Sequence, residues 1–279
     1  MKFTKMHGLG NDFIVIDNLS GEYFDFPQIA RKVCRRRFHV GADGILVIQG
    51  SEIADLRMKI YNSDGSEAEM CGNGIRCFAR YAYDKKIINK KKMTIETSTG
   101  IIKPEIIGDP STLDNYLVKV DMGAPVLQRS KIPVAGDDSE VVLNEKINID
   151  GEEYIFTAVS FGNPHCVIFT GELTDRLVRV IGPKIECHPL FPARTNVEFV
   201  HVENRNHVTV RVWERGVGET LACGTGSCAS VVAGILNNLL DRKVRVTLPG
   251  GDLYITWEEG ENVFMSGPAE AVFEGEFKL

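Results

Sequence analysis

The stretch Cys71-Gly72-Asn73-Gly74 stands immediately before one mostly apolar segment, and Cys223-Gly224-Thr225-Gly226 stands before another. The pattern Cys-Gly-x-Gly therefore occurs twice in the chain. A motif duplicated at matched positions indicates an internal repeat, and it predicts two similar domains that face each other. One such motif alone would be a weak signal, but its duplication makes coincidence a poor explanation.

The apolar segments after the two motifs are predicted to be helices, over Ile75–Lys85 and Cys228–Asp241. A helix that is apolar around most of its circumference is expected to be buried. Strand-like runs surround both segments, so each half is predicted to wrap strands around one central helix, in an α/β (α+β) fold. The predicted strands are Phe13–Asp17, Leu56–Tyr61, Met93–Thr97, Ile101–Ile106, Tyr116–Asp121, Val197–Val202, His207–Trp213, Val244–Leu248, Leu253–Trp257 and Val263–Met265.

The length of 279 residues also suggests about two domains. No linker is evident in the composition. The best candidate for a boundary is the turn Gly108-Asp109-Pro110-Ser111, which precedes the strand-like run from Tyr116.

Charge and composition exclude several classes of protein. The net charge of −6 lacks the basic footprint of a nucleic-acid binder. The basic run Arg35–Arg37 is interpreted as the solvated face of a helix over Gln28–Arg37. No signal peptide or membrane-spanning run is recognised. Seven cysteines, an odd number without regular spacing, favour thiols in a reducing cytoplasm over a disulfide scaffold.

The duplicated motif predicts a particular chemistry. A helix N-terminus offers unpaired N–H groups and partial positive charge, so a cysteine there is expected to have its pKa lowered toward neutrality. The glycines let the backbone approach a ligand closely. Together these features predict a small anion site beside a poised thiol, suited to a carboxylate.

Two such sites facing each other would place a sulfur on either side of the carbon next to one carboxylate. Inversion of that carbon requires a base on one face and a conjugate acid on the other. A thiolate and a thiol meet this need and exchange roles in the reverse reaction. The helix termini would also stabilise the charge that develops on the carboxylate.

Other roles for the cysteines were weighed. Cys71, Cys77, Cys223 and Cys228 could supply four thiolates to zinc, but five residues separate the first pair and four the second, outside or at the edge of the usual spacing. Cys77 and Cys228 fall within the predicted helices, where core packing is the expected role. A phosphate loop is excluded because no Lys-Ser/Thr follows either glycine run, and Gly8–Asn11 lacks the third glycine of a dinucleotide fingerprint.

Further polar clusters accompany the duplicated motif at the ends of strand-like runs. The clusters are Gly8-Leu9-Gly10-Asn11-Asp12, Tyr61-Asn62-Ser63-Asp64-Gly65-Ser66, Gly162-Asn163-Pro164-His165, Thr195-Asn196 and Trp213-Glu214-Arg215-Gly216. Together with the duplicated motif, they resemble the diaminopimelate epimerase family, over essentially the whole chain from His7 to Gly226.

The resemblance implies conversion of LL-2,6-diaminopimelate to the meso isomer, in lysine and cell-wall precursor synthesis, without pyridoxal phosphate or metal. It implies a cytoplasmic homodimer that binds a small molecule, with no nucleic-acid or membrane partner. It also implies two pseudo-symmetric domains, each a mostly antiparallel curved sheet around a buried helix. We expect the N-terminal half over residues 1–117, completed by a C-terminal strand over 267–279, and the C-terminal half over 118–266.

The resemblance also assigns roles to residues. Cys71 and Cys223 would be the acid/base thiols, assisted by His165 and Glu214, the latter also binding the reacting ammonium. Backbone N–H groups of Gly72, Asn73, Gly224 and Thr225 would hold the reacting carboxylate. Asn62, Asn163, Asn196 and Arg215 would grip the distal amino-acid end, and Asn11 would line the site. Where family members often carry a glutamine, this chain has Gly44, so a side-chain contact is lost there.

Two rival functions remain open at this point. A racemase of the same fold acting on proline, hydroxyproline or histidine would keep the two-thiol chemistry. A proline-type enzyme, however, would be expected to carry histidine where this chain has Asn73. The other rival is a non-catalytic zinc or redox module built on the cysteines.

Overall fold

The computed structural model describes residues 1–68, 71–108, 116–136 and 141–278. It divides into two compact units, the first formed by residues 1–121 with 266–279 and the second by 122–265. Asp109–Ser111, the greater part of the predicted boundary turn, lies outside the described residues.

The first unit is built on a sheet with the strand order β19-β1-β2-β3-β4-β6-β7, in which β5 pairs with β4. The pairs β2/β3 and β4/β6 are parallel, and the other pairs are antiparallel. Strands β8 and β9 pair antiparallel with each other. The elements are β1 (Lys2–Gly8), β2 (Asn11–Asp17), α1 (Phe26–Val33), β3 (Gly44–Gln49), β4 (Leu56–Asn62), β5 (Glu67–Ala68), α2 (Gly72–Asp84), β6 (Ile95–Thr97), β7 (Gly100–Ile102), β8 (Glu105–Ile107), β9 (Leu117–Asp121) and β19 (Glu270–Glu276).

The second unit contains a sheet with the order β10-β11-β12-β13-β14-β16-β17-β18, in which β15 pairs with β14. Here β12/β13 and β14/β16 are parallel. The elements are β10 (Glu145–Ile149), β11 (Glu152–Ser160), β12 (Pro164–Phe169), a π-helical turn (Leu177–Ile181), α3 (Gly182–Glu186), β13 (Asn196–Asn204), β14 (His207–Glu214), β15 (Gly218–Thr220), α4 (Gly224–Leu236), β16 (Lys243–Leu248), β17 (Gly251–Trp257) and β18 (Val263–Gly267).

The two units repeat one topology. Strands β1 to β7 pair with the same succession of parallel and antiparallel neighbours as β11 to β17, and a long helix follows the short side strand in each. The registers also correspond, since Phe13 pairs with Gly44 in β2/β3 and His165 pairs with Asn196 in β12/β13. The predicted fold of two pseudo-symmetric, sheet-rich domains is therefore confirmed.

The two long helices are the centres of their units. Helix α2 packs against β1, β2 and β3, and α4 packs against β11 to β14 and β17. Both are buried along most of their length. They begin at Gly72 and Gly224, earlier than predicted, because the glycines of the motif already form the first turn. Helix α4 ends at Leu236 rather than Asp241, since Asn238 takes a positive φ of 56° and breaks the repeat.

The predicted helix over Gln28–Arg37 is wrong in its second half. Helix α1 ends at Val33, whose carbonyl accepts the N–H of Gly41, and Arg37 has a positive φ of 74°. The basic run therefore lies in a loop rather than on a helix, and the exposed Arg36 pairs there with two carboxylates.

The predicted strands Met93–Thr97 and Ile101–Ile106 form the two arms of a hairpin, and both arms are shorter than predicted. Strands β6 and β7 pair with Thr97 opposite Gly100. Pro104 cannot donate to a ladder, and Glu105–Ile107 beyond it forms a different strand that pairs with β9.

Within the described residues, no helix combines the length and apolar character needed to cross a bilayer.

Candidate active site

In the first unit, Cys71 caps helix α2. Its backbone is extended, with φ −142° and ψ 117°, and the Gly74 N–H donates to its sulfur over 3.4 Å. The position before a helix leaves the first N–H groups without backbone partners, and a sulfur can accept from one of them. Glycine fits at 74 because an added Cβ would lie 3.3 Å from Leu46 Cδ2. The motif thus places a half-buried thiol at the start of the central helix.

Asn11 brings the polar groups of this site together. Its Oδ1 accepts from Cys71 Sγ over 3.4 Å and from Asn73 Nδ2 over 3.2 Å. Its Nδ2 donates to Asp43 Oδ2 over 2.8 Å. The Asp43 carboxylate therefore fixes which end of the amide faces the thiol. Asn73 Oδ1 is buried and has no hydrogen-bond partner among the described residues.

An ion network holds Asp43 and the adjacent Asp12. Arg36 bridges the two carboxylates at 2.6 and 2.8 Å, and Lys5 pairs with Asp12 at 2.5 Å. Burial opposes ionisation of Asp12, but hydrogen bonds from Arg36 and Lys5 outweigh it and lower the pKa of the carboxyl to about 2. Sequence reasoning missed Asp43 as a site residue, although it follows Gly41-Ala42 in a segment compared with the family.

Asn62 ends strand β4 and lies opposite Gly44 in the register. Its side chain is exposed and donates from Nδ2 to Ser66 Oγ over 3.0 Å. A Cβ on Gly44 would lie 2.5 Å from the Tyr61 carbonyl oxygen. Close backbone approach therefore accounts for glycine at this position in this chain.

In the second unit, Cys223 caps helix α4 in the same manner. Its φ is −123° and its ψ is 114°, and the Gly226 N–H donates to its sulfur over 3.4 Å. Thr225 Oγ1 lies 3.5 Å from that sulfur. The two caps thus share one geometry, but Cys223 is only 6% exposed and more deeply buried than Cys71.

A chain of side chains leads away from Thr225. Its hydroxyl accepts from Asn163 Nδ2 over 3.2 Å, and Asn163 Oδ1 lies 3.1 Å from His165 Nε2. His165 Nδ1 lies 2.7 Å from Glu198 Oε1. Sequence reasoning missed Glu198, though a carboxylate inside the apolar run Val197–Val202 was a visible signal, because a buried charge is rare without a partner.

Glu214 ends strand β14 and accepts from Thr220 Oγ1 over 2.5 Å. Burial raises the pKa of Glu214, the hydrogen bond from Thr220 offsets part of this effect, and the nearby Glu198 adds to the rise.

The predicted lowering of both thiol pKa values fails at Cys223. Burial raises its pKa well above the ordinary value, and the charges of Glu214 and Glu198 raise it further. The hydrogen bonds from Thr225 and Gly226 act in the predicted direction but are outweighed. The helix N-terminus therefore does not by itself make this sulfur a thiolate.

The side chain of Asn196 is hydrogen-bonded to the backbone of Arg215. Asn196 Oδ1 accepts from the Arg215 N–H over 2.9 Å, and Asn196 Nδ2 donates to the Pro164 carbonyl over 2.8 Å. The amide of Asn196 is buried and its two ends are both engaged. The Arg215 side chain is exposed, and its Nη1 donates to the Ala193 carbonyl over 3.0 Å.

The structure thus assembles two groups of predicted residues, one in each unit. The first group is Cys71, Gly72, Asn73 and Asn11; Asn62 ends a neighbouring strand of the same unit. The second is Cys223, Gly224, Thr225, Asn163, His165 and Glu214, with Asn196 and Arg215 linked to each other.

The described residues offer no cluster of ligands for the zinc alternative. In the parts of the chain that the structure describes, no three His, Cys, Asp or Glu side chains converge as a metal site would require. Cys77 and Cys228 are fully buried inside α2 and α4.

The fold is that of a group of two-domain epimerases and isomerases. Hydroxyproline epimerase from Agrobacterium vitis, solved with bound trans-4-hydroxy-L-proline, superposes with a TM-score of 0.69 at 15% identity, covering 99% of this chain and 91% of that one. A phenazine biosynthesis protein of the PhzF family from Bacillus anthracis gives 0.67 at 17% identity, covering 100% and 99%.

Sequence similarity shows to which family this chain belongs. The family described as diaminopimelate epimerase matches residues 3–128 and 157–272. Diaminopimelate epimerase from Moorella thermoacetica is 53% identical over 100% of both chains, and that from Desulfitobacterium hafniense is 52% identical over 99% of this chain and 97% of the relative. This chain belongs to the diaminopimelate epimerase family.

Proposed function

We propose that this protein converts LL-2,6-diaminopimelate to the meso isomer, as a step in lysine and cell-wall precursor synthesis. The observation that carries the proposal is the pair of cysteine-capped helices at corresponding positions of a duplicated topology. The similarity to diaminopimelate epimerases over the full chain supports the choice of substrate.

The two thiols supply the acid and the base. A thiolate on one face of the α-carbon removes the α-proton, and the thiol on the other face donates its own proton to the carbanion. After both transfers, the first sulfur is a thiol and the second is a thiolate. In the reverse reaction, Cys71 and Cys223 therefore exchange the roles of base and acid. Proton transfer by a positioned group contributes about 10²- to 10⁴-fold to such a rate.

The backbone at the two helix starts binds the reacting carboxylate. Gly72 and Asn73, and likewise Gly224 and Thr225, occupy the first turn of each helix, where N–H groups lack intrahelical partners. These donors gain strength as negative charge moves from the α-carbon onto the carboxylate. They therefore stabilise the transition state more than the ground state.

Glu214 couples substrate binding to the Cys223 thiol. The charge of Glu214 raises the pKa of Cys223, after the larger effect of burial. A substrate ammonium beside Glu214 compensates that negative charge, so proton loss from Cys223 becomes easier once substrate is present. His165 assists the same thiol indirectly, because a chain of contacts through Asn163 and Thr225 links it to Cys223.

The distal end of the substrate is gripped by Asn62, Asn163 and Arg215, with Asn11 lining the site; Asn196, expected from the sequence to grip it too, supports Arg215 instead. The Arg215 guanidinium suits a second carboxylate because its planar donors can bind both oxygens. Asn196 holds the Arg215 backbone rather than pointing a spare donor outward. We further propose that the protein acts as a cytoplasmic homodimer.

Exchange of the α-proton tests the proposal. The protein, freed of metal and of pyridoxal phosphate and kept under reductant, is incubated with LL-diaminopimelate in heavy water, with proline, histidine and lysine in parallel. Exchange with inversion of diaminopimelate alone is the expected result. Inversion of proline or histidine instead would refute the proposed substrate but leave the two-thiol mechanism in place. If folded, reduced protein exchanged no α-proton, the proposed epimerase function would be refuted.

A further inference from the structure

A buried histidine–glutamate pair lies beneath the start of helix α4. His165 on β12 and Glu198 on β13 are both fully buried, and Nδ1 of the imidazole lies 2.7 Å from Oε1 of the carboxylate. An added Cβ on Gly226 would lie 2.5 Å from the same Oε1, so the carboxylate sits directly against the first turn of the helix. Taking such groups out of water is costly, and their presence in a core calls for a reason.

The internal repeat shows that the fold does not require this pair. The register places Phe13 in the first unit where His165 lies in the second. Leu46 lies two residues beyond Gly44 on β3, as Glu198 lies two beyond Asn196 on β13, and each faces the corresponding glycine of its central helix. Phe13 and Leu46 are buried apolar side chains. At the two corresponding positions, the first unit is therefore packed with apolar side chains only.

The pair is connected to the Cys223 sulfur. From Glu198, the contacts run through His165 to Asn163, from Asn163 to Thr225, and from Thr225 to Cys223, at 2.7, 3.1, 3.2 and 3.5 Å. Glu198 Oε2 has no hydrogen-bond partner among the described residues, so the contact with His165 is the one that fixes this carboxylate. A carboxylate that accepts from one imidazole nitrogen fixes the orientation of the ring, and with it the direction in which the other nitrogen points.

We propose that Glu198 is a positioning residue, which accepts a hydrogen bond from His165 Nδ1 and so fixes the ring whose Nε2 edge contacts Asn163, the residue that donates to Thr225 beside Cys223. Its catalytic consequence rests on the proposed epimerase function. The hydrogen bond itself stands independently of the substrate. The charge of Glu198 has a separate and lesser effect, because burial and Glu214 both raise the pKa of Cys223 more than Glu198 does. The length of the side chain at 198, which sets whether it reaches His165, is therefore expected to matter more than its charge.

Two substitutions separate reach from charge. Glu198→Gln keeps the length and an oxygen that accepts from His165 Nδ1, but it has no charge. Glu198→Asp keeps the charge, but it is shorter by one methylene and withdraws the carboxylate from hydrogen-bond distance. Glu203→Gln is the matched control, because Glu203 lies on the same strand in an exposed His201–Glu203 pair at 3.8 Å.

The variants are compared by steady-state epimerisation and by NMR of protein labelled with ¹⁵N at histidine. We expect Glu198→Gln to keep kcat within about three-fold of wild type and to retain the protected Nδ1 proton of His165. Glu198→Asp should lose that proton's protection and about 10- to 100-fold in kcat, with KM nearly unchanged, as a displaced catalytic environment does. Glu203→Gln should match wild type in both measurements.

Equal activity of Glu198→Asp and wild type, or Glu198→Gln no more active than Glu198→Asp, would overturn the proposal and leave charge or packing as the role of Glu198. If the wild-type protein epimerised nothing, the proposed function would fail, yet the His165 proton would still decide this inference. A protected proton in Glu198→Asp equal to that in wild type would then refute it.

Discussion

At the scale of single residues, the two motif cysteines occupy different surroundings despite a common cap. Cys71 is half-buried and faces an amide oxygen of Asn11. Cys223 is buried near two carboxylates, which add to burial in raising its pKa. The duplicated motif could therefore be predicted to form two equivalent caps. It could not be predicted to form two different thiols, because the sequence does not show that the strands carrying Glu198 and Glu214 lie beside Cys223.

Replacing either motif cysteine should abolish inversion. Cys71→Ala and Cys223→Ala each remove the acid/base group from one face of the α-carbon, so kcat should fall by at least about 10²- to 10⁴-fold. Cys77→Ala and Cys228→Ala, which truncate fully buried helix residues, should keep activity and cost about 1 kcal/mol of unfolding free energy. Chiral chromatography and urea unfolding measure the two effects. Loss of activity in Cys77→Ala equal to that in Cys71→Ala would refute the assignment of thiols.

The charge of Glu214 should govern the reactivity of Cys223. Glu214→Gln removes a negative charge that raises the pKa of that thiol, so the thiolate fraction at a given pH increases. Alkylation of Cys223 by iodoacetamide at pH 8, followed by peptide mass spectrometry, should be faster in this variant than in wild type. Cys77 serves as an internal reference because burial raises its pKa to about 12. An unchanged or slower rate at Cys223 would contradict the electrostatic coupling.

At the scale of elements, the sequence predicted both central helices and many of the strands, but it missed β1, β3 and β10 to β12. It also did not predict how helix α1 ends. Helix α1 was predicted to run to Arg37, whereas the returning loop bonds the Val33 carbonyl and turns Arg36 toward Asp12 and Asp43. Periodicity cannot show such a return, because it depends on partners supplied by β2 and the residues before β3. The same limitation hid Glu198, whose partner His165 lies on another strand.

The network around Asp12 should make stability depend on acid pH. The pKa of Asp12 is lowered from its ordinary 3.8 to about 2 in the folded protein. The folded state thus gains stability above pH 3.8, and this gain is lost as the pH falls from 3.8 toward 2. Asp12→Asn should lower the free energy of unfolding at neutral pH by about 1–2 kcal/mol after allowance for solvent screening at the exposed Arg36.

Urea unfolding at several pH values measures this dependence. The control is Asp241→Asn, which breaks a surface pair with Arg205 and should change stability by less than about 0.5 kcal/mol. A stability difference between wild type and Asp12→Asn that stayed constant from pH 7 to pH 2 would contradict the low pKa.

At the scale of the whole molecule, the internal repeat offers a substitution taken from the protein itself. His165→Phe with Glu198→Leu gives the second unit the buried pair that the first unit carries as Phe13 and Leu46. Replacing a buried charged pair by apolar residues is often neutral or stabilising by about 1–4 kcal/mol. The double variant should therefore unfold at or above the wild-type urea midpoint while losing epimerase activity.

The single variant Glu198→Leu completes the cycle. It leaves His165 buried without its acceptor, so it should be less stable than the double variant. A double variant that fails to fold would show that the two units are not interchangeable at these positions.

The pairing of β19 with β1, in register from Lys2 opposite Glu276 to His7 opposite Glu270, bears on the order in which the protein folds. A ribosome makes residues 122–265 before it makes β19, so the second unit is complete while the first still lacks a strand along β1. Domains usually fold in the order of their synthesis. Here the second unit is expected to become protease-resistant before the first, in nascent chains stalled before β19 emerges. Until β19 is made, the edge of the first unit's sheet along β1 remains unpaired.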